Sequence, residues 1–346
     1  MEPDRRRILG GIGGTLTMEA HMRELLLDYI RSGPDADDRP IDERRKPLAR
    51  EIGVRNMFIR HRLFAATRAL EEAGASPVVL KGAHLIHAVY PFGIRPIEDI
   101  DLFLDKADYE RVDRTLRALG YEARIEGMDL WTHLTFSNKI TYMNRAEQPL
   151  IPIDIHFSLG PYPYLGKMNP ALLAGRTETI ATEEGTLRVL APEALLLHLC
   201  LHLFQHHFDD WQVSCCDIVA VVRHAGNRLD WDEFARLVRD NRLSLPVSYS
   251  LRKAKELSPR LELPPLWLHS DGMPATARER WVFARSLAQR TAFDRHVLQF
   301  LTTPGVGNKL RGALKIVVPS KTQLRLHHRG SYWRYLRDIV KTAVKS

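Results

Sequence analysis

The residues with the clearest chemical potential in this 346-residue chain are acidic and closely spaced. In Ile97-Glu98-Asp99-Ile100-Asp101-Leu102-Phe103-Leu104, apolar and acidic residues alternate, which is the pattern of a half-buried strand. Side chains of a strand alternate faces, so Asp99 and Asp101 share one face while Ile100 and Leu102 take the other. Two neighbouring carboxylates repel, and both ionise readily only when a cation lies between them. Hard oxygen ligands of this kind suit Mg2+, which binds one or two carboxylates together with phosphate oxygens. Ile153-Asp154-Ile155-His156 repeats the alternation later in the chain. If the two strands are neighbours, three carboxylates converge, as a two-metal displacement at phosphorus requires.

Other residues extend this set. Leu80-Lys81-Gly82 falls where a short apolar strand gives way to a helix. Free backbone N–H groups at such a junction can hold phosphates, and Lys81 adds positive charge. Arg95, four residues before Asp99, is placed to reach a phosphate, to structure the site or to pair with Glu98. His156 shares a face with Asp154 and can steady substrate or hydrogen-bond a metal-bound carboxylate. His198, His202 and His206 stack at i, i+4 and i+8 on one helix face, followed by His207, Asp209 and Asp210. Histidines so spaced can bind zinc. The intervening Leu199-Cys200-Leu201 lacks the acid of a zinc-protease motif, so a helix lining the cleft or packing with polar partners is the preferred reading. His84 and His87 are read with the same caution. Gly10-Gly11-Ile12-Gly13-Gly14 has neither a preceding strand nor the Gly-Lys-Ser/Thr ending of a phosphate loop, and reads as a flexible segment.

The surrounding pattern supplies the scaffold. Helices are expected at 18–32 and 48–73, the second stopped by Gly74, with a polar linker over 33–47. A strand at 77–80, a helix at 83–90 and a turn at 91–96 lead into the acidic strand. Asp105 is placed to cap a helix over 105–119, which Gly120 ends. Strand-like pieces follow at 121–125, 131–136, 140–143 and 150–157. Beyond Pro161 the pattern is mostly helical, best over 192–208, 216–225, 231–241, 246–257 and 278–300.

Taken in order, Leu80-Lys81-Gly82-Ala83-His84-Leu85, Tyr90, Arg95 and Asp99-Ile100-Asp101-Leu102 resemble the DNA polymerase β-type nucleotidyltransferase superfamily. The likeness is to its bacterial branch of largely uncharacterised nucleotidyltransferases, some of which accompany peptide natural-product genes. It covers roughly residues 60 to 225. It implies an α/β (α+β) fold: a small mixed β-sheet core with flanking helices, then a mainly helical C-terminal region. The implied organisation is an N-terminal helix and linker (1–47), a nucleotidyltransferase core (48–160), a helical domain (161–308) and a basic C-terminal segment (309–346). It further implies Asp99, Asp101 and Asp154 as catalytic metal ligands, with Asp154 accepting the acceptor's proton. The implied nucleotide-binding residues are Lys81, Gly82, Ala83, Arg95 and His156. Mg2+, with Mn2+ as an alternative, is the implied cofactor and an NTP the co-substrate. The superfamily's turn usually carries Gly-Gly or Gly-Ser; here Gly82 sits between Lys81 and Ala83, a Lys-Gly-Ala pattern common in the branch. A small molecule or peptide natural product is the first candidate acceptor. Toxin-like transfer to RNA or protein, and a silent nucleotide-binding scaffold, are the alternatives.

Composition narrows the classes. Hydrophobic residues make up 45% and charged residues 27%, as in a soluble globular protein. No apolar run approaches the roughly 20 residues that span a bilayer, and no signal-peptide stretch follows the charged N-terminus, so a cytoplasmic location is expected. Cys200, Cys215 and Cys216 form neither a disulfide framework nor a paired zinc motif, and read as buried thiols. The net charge of +8 resides in the last 38 residues, where ten Lys and Arg face one acid. Such a tail can attract RNA or another anionic surface. Interleaved Leu310, Leu314, Ile316, Trp333, Leu336 and Val340 favour a helix packed on the body instead.

Overall fold

The computed structural model describes residues 14–33, 42–125, 139–159, 170–205, 211–268 and 275–287, with 307, 310, 331–334 and 337 beyond them. Seven strands among these residues form one mixed sheet: Val78–Val79 (β1), Ile100–Phe103 (β2), Glu122–Arg124 (β3), Lys139–Met143 (β4), Ile153–His156 (β5), Thr177–Thr182 (β6) and Gly185–Leu190 (β7). Their order is β3-β4-β5-β2-β1-β7-β6. The β2–β5 and β1–β7 pairs are parallel and the other four antiparallel. The expected strand at 131–136 lies outside the described residues. The β6–β7 hairpin was not expected from the sequence and carries the sheet past residue 160, into the segment read as helical.

Ten helices among the described residues flank the sheet. They are Gly14–Ser32 (α1), Lys46–Glu72 (α2), Lys81–Ala88 (α3), Tyr109–Ala118 (α4), Pro170–Leu173 (α5), Pro192–Gln205 (α6), Trp211–Ala225 (α7), Trp231–Asp240 (α8), Ser244–Leu257 (α9) and Ala277–Leu287 (α10). The expected boundaries shift where caps act. Asp105 does cap, accepting from the Ala107 N–H, but it opens a 3-10 turn that passes into α4. Asp230 accepts from the N–H groups of Asp232 and Glu233 and starts α8. Gly120, just past α4, has φ +84°, a conformation that a side chain would strain.

Strand alternation divides the sheet into two apolar faces. Val79, Ile100, Leu102, Ile153, Ile155 and Val189 pack with Ile59, Leu63 and Leu70 of α2 and with Val112 and Leu116 of α4. On the other face Val78, Leu80, Phe103 and Leu190 join the larger core built from α1 and α6 to α9. Cys200, Cys215 and Cys216 are free and buried in that larger core, where burial pushes their thiols up. Asp101, Asp154 and His156 have the register of this second face, so the sheet presents them towards the helical layer.

One buried ion pair joins sheet and helices. Arg95, in the turn before β2, donates from Nε to Asp217 Oδ1 (2.8 Å) and from Nη2 to Oδ2 (2.9 Å). The Tyr90 hydroxyl adds a third bond to Asp217, at 3.0 Å. Asp217 lies within α7 and is nearly inaccessible. Replacing Asp217 by Ala would leave the guanidinium buried without its partner, at a cost of about 3 kcal/mol. Denaturant unfolding of Asp217→Ala is therefore expected to show a clearly lowered midpoint, with part of the loss restored by adding Arg95→Met. A variant as stable as the parent chain would contradict this role.

Candidate active site

Register is what assembles the site. In the parallel β2–β5 ladder Asp101 lies opposite Asp154 and Phe103 opposite His156. Asp101, Asp154 and His156 each offer a ligand atom within 4.8 Å of the other two, the one such set of three among the described residues. Asp99 precedes β2 and is half-buried. It stands outside that set of three, yet both other carboxylates act on it electrostatically: burial first, then Asp101 and Asp154, push its carboxyl up to about 7. Carboxylates that repel one another in this way would be relieved by a cation between them. The donors, mostly hard oxygens, fit a divalent ion.

Basic residues already meet part of this charge. Lys81 Nζ lies 2.7 Å from Asp101 Oδ1 and 3.5 Å from His156 Nε2. His156 Nε2 is 2.6 Å from the same Asp101 oxygen. Burial opposes ionisation of Asp101, but the Lys81 ammonium and the His156 hydrogen bond outweigh it and hold the carboxyl well below its usual range. Since an ionised carboxylate can only accept, His156 carries its proton on Nε2. Burial, reinforced by Lys81, lowers the pKa of His156, and its Nδ1 has no hydrogen-bond partner. Asp154 accepts a 2.6 Å bond from the Thr141 hydroxyl and pairs with the Lys139 ammonium, both from the antiparallel strand β4.

Lys81 opens α3 directly after the β1–β2 ladder, whose last bond runs from Leu80 N–H to Asp101 carbonyl (3.0 Å). Its φ of +44° is rare for a residue with a side chain. That backbone turn places an ammonium on the acidic cluster, against Asp101. Gly82 is small because of packing: a Cβ there would lie 2.5 Å from Ile97 Cγ2. Ala83 is buried against the α2 side. Arg95, by contrast, is committed to Asp217, which structures the turn leading into Asp99.

Sequence reasoning named Asp99, Asp101, Asp154, Lys81 and His156, and the structure gathers them at one place. It missed Lys139, Thr141 and Asp217. The register of β4 against β5 could have suggested the first two, since Lys139 pairs with His156 and Thr141 with Asp154 across the ladder. Nothing local marks Asp217 as a partner of a residue 122 positions away. Of the histidine run, His198 and His202 have ring centroids 6.5 Å apart, and neither belongs to a three-donor group among the described residues. His206, His207, Asp209 and Asp210 lie outside those residues. His84 and His87 line a separate cavity of about 240 Å3 with His224 and Arg228.

A protein-family profile described as an uncharacterised nucleotidyltransferase matches residues 19–259. The chain belongs to that family. The nucleotidyltransferase is similar in structure to an antigenic nucleotidyltransferase-like protein from Paracoccidioides brasiliensis. The two are 14% identical, with a TM-score of 0.35, and the match covers 61% of this chain and 93% of that one. It is also similar to the antibiotic-resistance factor ANT(2'')-Ia, at 13% identity and a TM-score of 0.37, over 59% of this chain and 97% of that one. A search of curated proteins found no match.

Lys139 gives this account a direct check. Lys139→Met removes the counter-charge of a carboxylate that is almost fully buried, which is destabilising when nothing replaces it. In EDTA the variant is expected to unfold several degrees below the parent chain, and millimolar Mg2+ or Mn2+ should recover most of the difference. Equal midpoints in EDTA would count against the ion pair.

Proposed function

We propose that this nucleotidyltransferase moves a nucleoside monophosphate from an NTP to an acceptor hydroxyl or phosphate and releases pyrophosphate, with Mg2+ or Mn2+ bound at Asp99, Asp101 and Asp154. The observation that supports it best is the opposition of Asp101 and Asp154 across a parallel strand pair, with Asp99 beside them. A divalent cation bound there would neutralise phosphate charge and lower the pKa of the attacking hydroxyl.

The chain's own residues account for the remainder. Lys81, at the start of α3, supplies positive charge to the triphosphate, with the close-packed turn at Gly82 and Ala83 beneath it. His156 steadies Asp101 through their 2.6 Å hydrogen bond. Arg95 acts through Asp217, fixing the turn from which Asp99 projects. As the acceptor oxygen bonds to the α-phosphorus, the bond from that phosphorus to the bridging oxygen breaks. The hydroxyl proton passes to Asp154. Positioning and charge neutralisation carry such a reaction.

The acceptor we favour is a small molecule or a modified peptide, in keeping with the company of the bacterial branch that the sequence resembles. We place the reaction in the cytoplasm; no described helix is long and apolar enough to cross a membrane.

Asp101→Asn keeps the shape of the side chain but removes its charge. Incubated with α-labelled NTPs and cell extract, the parent chain should label an acceptor and release pyrophosphate, and the variant should do neither while keeping its circular dichroism spectrum. Undiminished labelling by Asp101→Asn would sink the assignment.

A further inference from the structure

The cavity of about 240 Å3 beside α3 has none of Asp99, Asp101, Asp154, His156 or Lys81 in its wall. Leu190 lines it, one place past the Val189 that pairs with Val79 in the β1–β7 ladder. The cavity therefore begins about one strand spacing from the end of β1, where Lys81 follows. His84, 2% exposed, and His87 reach it from α3. Among the described residues His84 Nδ1 and His87 Nε2 are buried without a hydrogen-bond partner. Leu190, Leu195 and Val221 supply apolar wall, and the half-buried Glu178 of β6 and the exposed Arg228 complete it.

Buried ring nitrogens kept for packing are normally paired, because an unpaired one destabilises a fold. Here two of them line one space with room for more than a single water. That space is smaller than the roughly 300–1,000 Å3 of drug-sized sites, so it suits a small metabolite. Burial above all lowers the pKa of His84 to about 3 and of His87 to about 4, so at pH 7 each ring is neutral, with one N–H and one lone pair. The buried end thus matches an uncharged group that can donate and accept, a hydroxyl or an amide. The open end is charged. Glu178 and Arg228 line the same cavity, yet no ion pair joins them, and among the described residues neither is paired elsewhere. A molecule with both an ammonium and a carboxylate answers both charges.

We propose that this cavity binds a free α-amino acid with an uncharged polar side chain: Arg228 takes the carboxylate, Glu178 the ammonium, and His84 and His87 the side-chain hydroxyl or amide. Leu190, Leu195 and Val221 enclose the ligand's carbon atoms. The site is independent of the nucleotidyl-transfer reading, although it lies against the helix that opens with Lys81.

The test titrates the full chain with serine, threonine, asparagine and glutamine by calorimetry, without Mg2+ or NTP, so its outcome does not depend on the reaction. At least one should bind, and more tightly than valine or leucine, which lack the polar tip. Its N-acetyl and carboxamide derivatives, each missing one charge, should bind about tenfold more weakly, the worth of one hydrogen bond to a charged group. Arg228→Gln should cost the amino acid about the same factor and its carboxamide nothing further. Glu178→Gln should do likewise with the N-acetyl derivative as the insensitive ligand. No binding by any of the four, equal or tighter binding of valine or leucine, or an affinity that either variant leaves unchanged would each overturn the proposal, leaving water as the occupant.

Discussion

The parallel pairing of β2 with β5 is the constraint on which the site depends. Asp101 and Asp154 come from strands separated by the 3-10 turn, α4, β3 and β4, and only the ladder register sets them opposite each other. A slip of either strand by one residue would turn its carboxylate into the apolar layer and bring its isoleucine, Ile100 or Ile153, out of it. The two isoleucines are fully buried against α2 and α4. The hydrophobic effect that seats them thus fixes the register, and through it the acidic cluster.

Electrostatics works against this arrangement, and the fold answers with basic groups from the neighbouring elements. Lys81 reaches in from the start of α3 and Lys139 from β4. Buried ion pairs are weak sources of stability, because desolvation offsets most of their attraction. Their value here is geometric: each ammonium fixes the orientation of one carboxylate. The positive φ at Lys81 is a local strain in the turn that carries this ammonium.

Much of this was legible in the sequence because it is written locally. Alternation marked β2 and β5, Asp105 marked a helix start, and Gly120 marked a helix end. The strand-turn-helix at Lys81 was readable for the same reason. What escaped is non-local or weakly patterned. Strand β6, Thr177-Glu178-Thr179-Ile180-Ala181-Thr182, has no buried residue and lies at the edge of the sheet, so it lacks the apolar alternation by which a strand is recognised. Lys139, at the start of a strand, reads as a solvated end until its partner across the ladder is known. Asp217 sits in the run Cys215-Cys216-Asp217-Ile218-Val219, where only the tertiary fold supplies an arginine. Two hydrophobic residues of the basic terminal segment, Leu310 and Trp333, are exposed at 64% and 78%, so at those positions the amphipathic pattern does not translate into packing on the body.

The two lysines also bear on how the chain comes into being. Many metalloproteins need their ion to fold, because the empty ligand set repels itself. Here Lys81 and Lys139 provide an internal counter-charge, so the acidic cluster is met from within the polypeptide and folding need not wait for an ion.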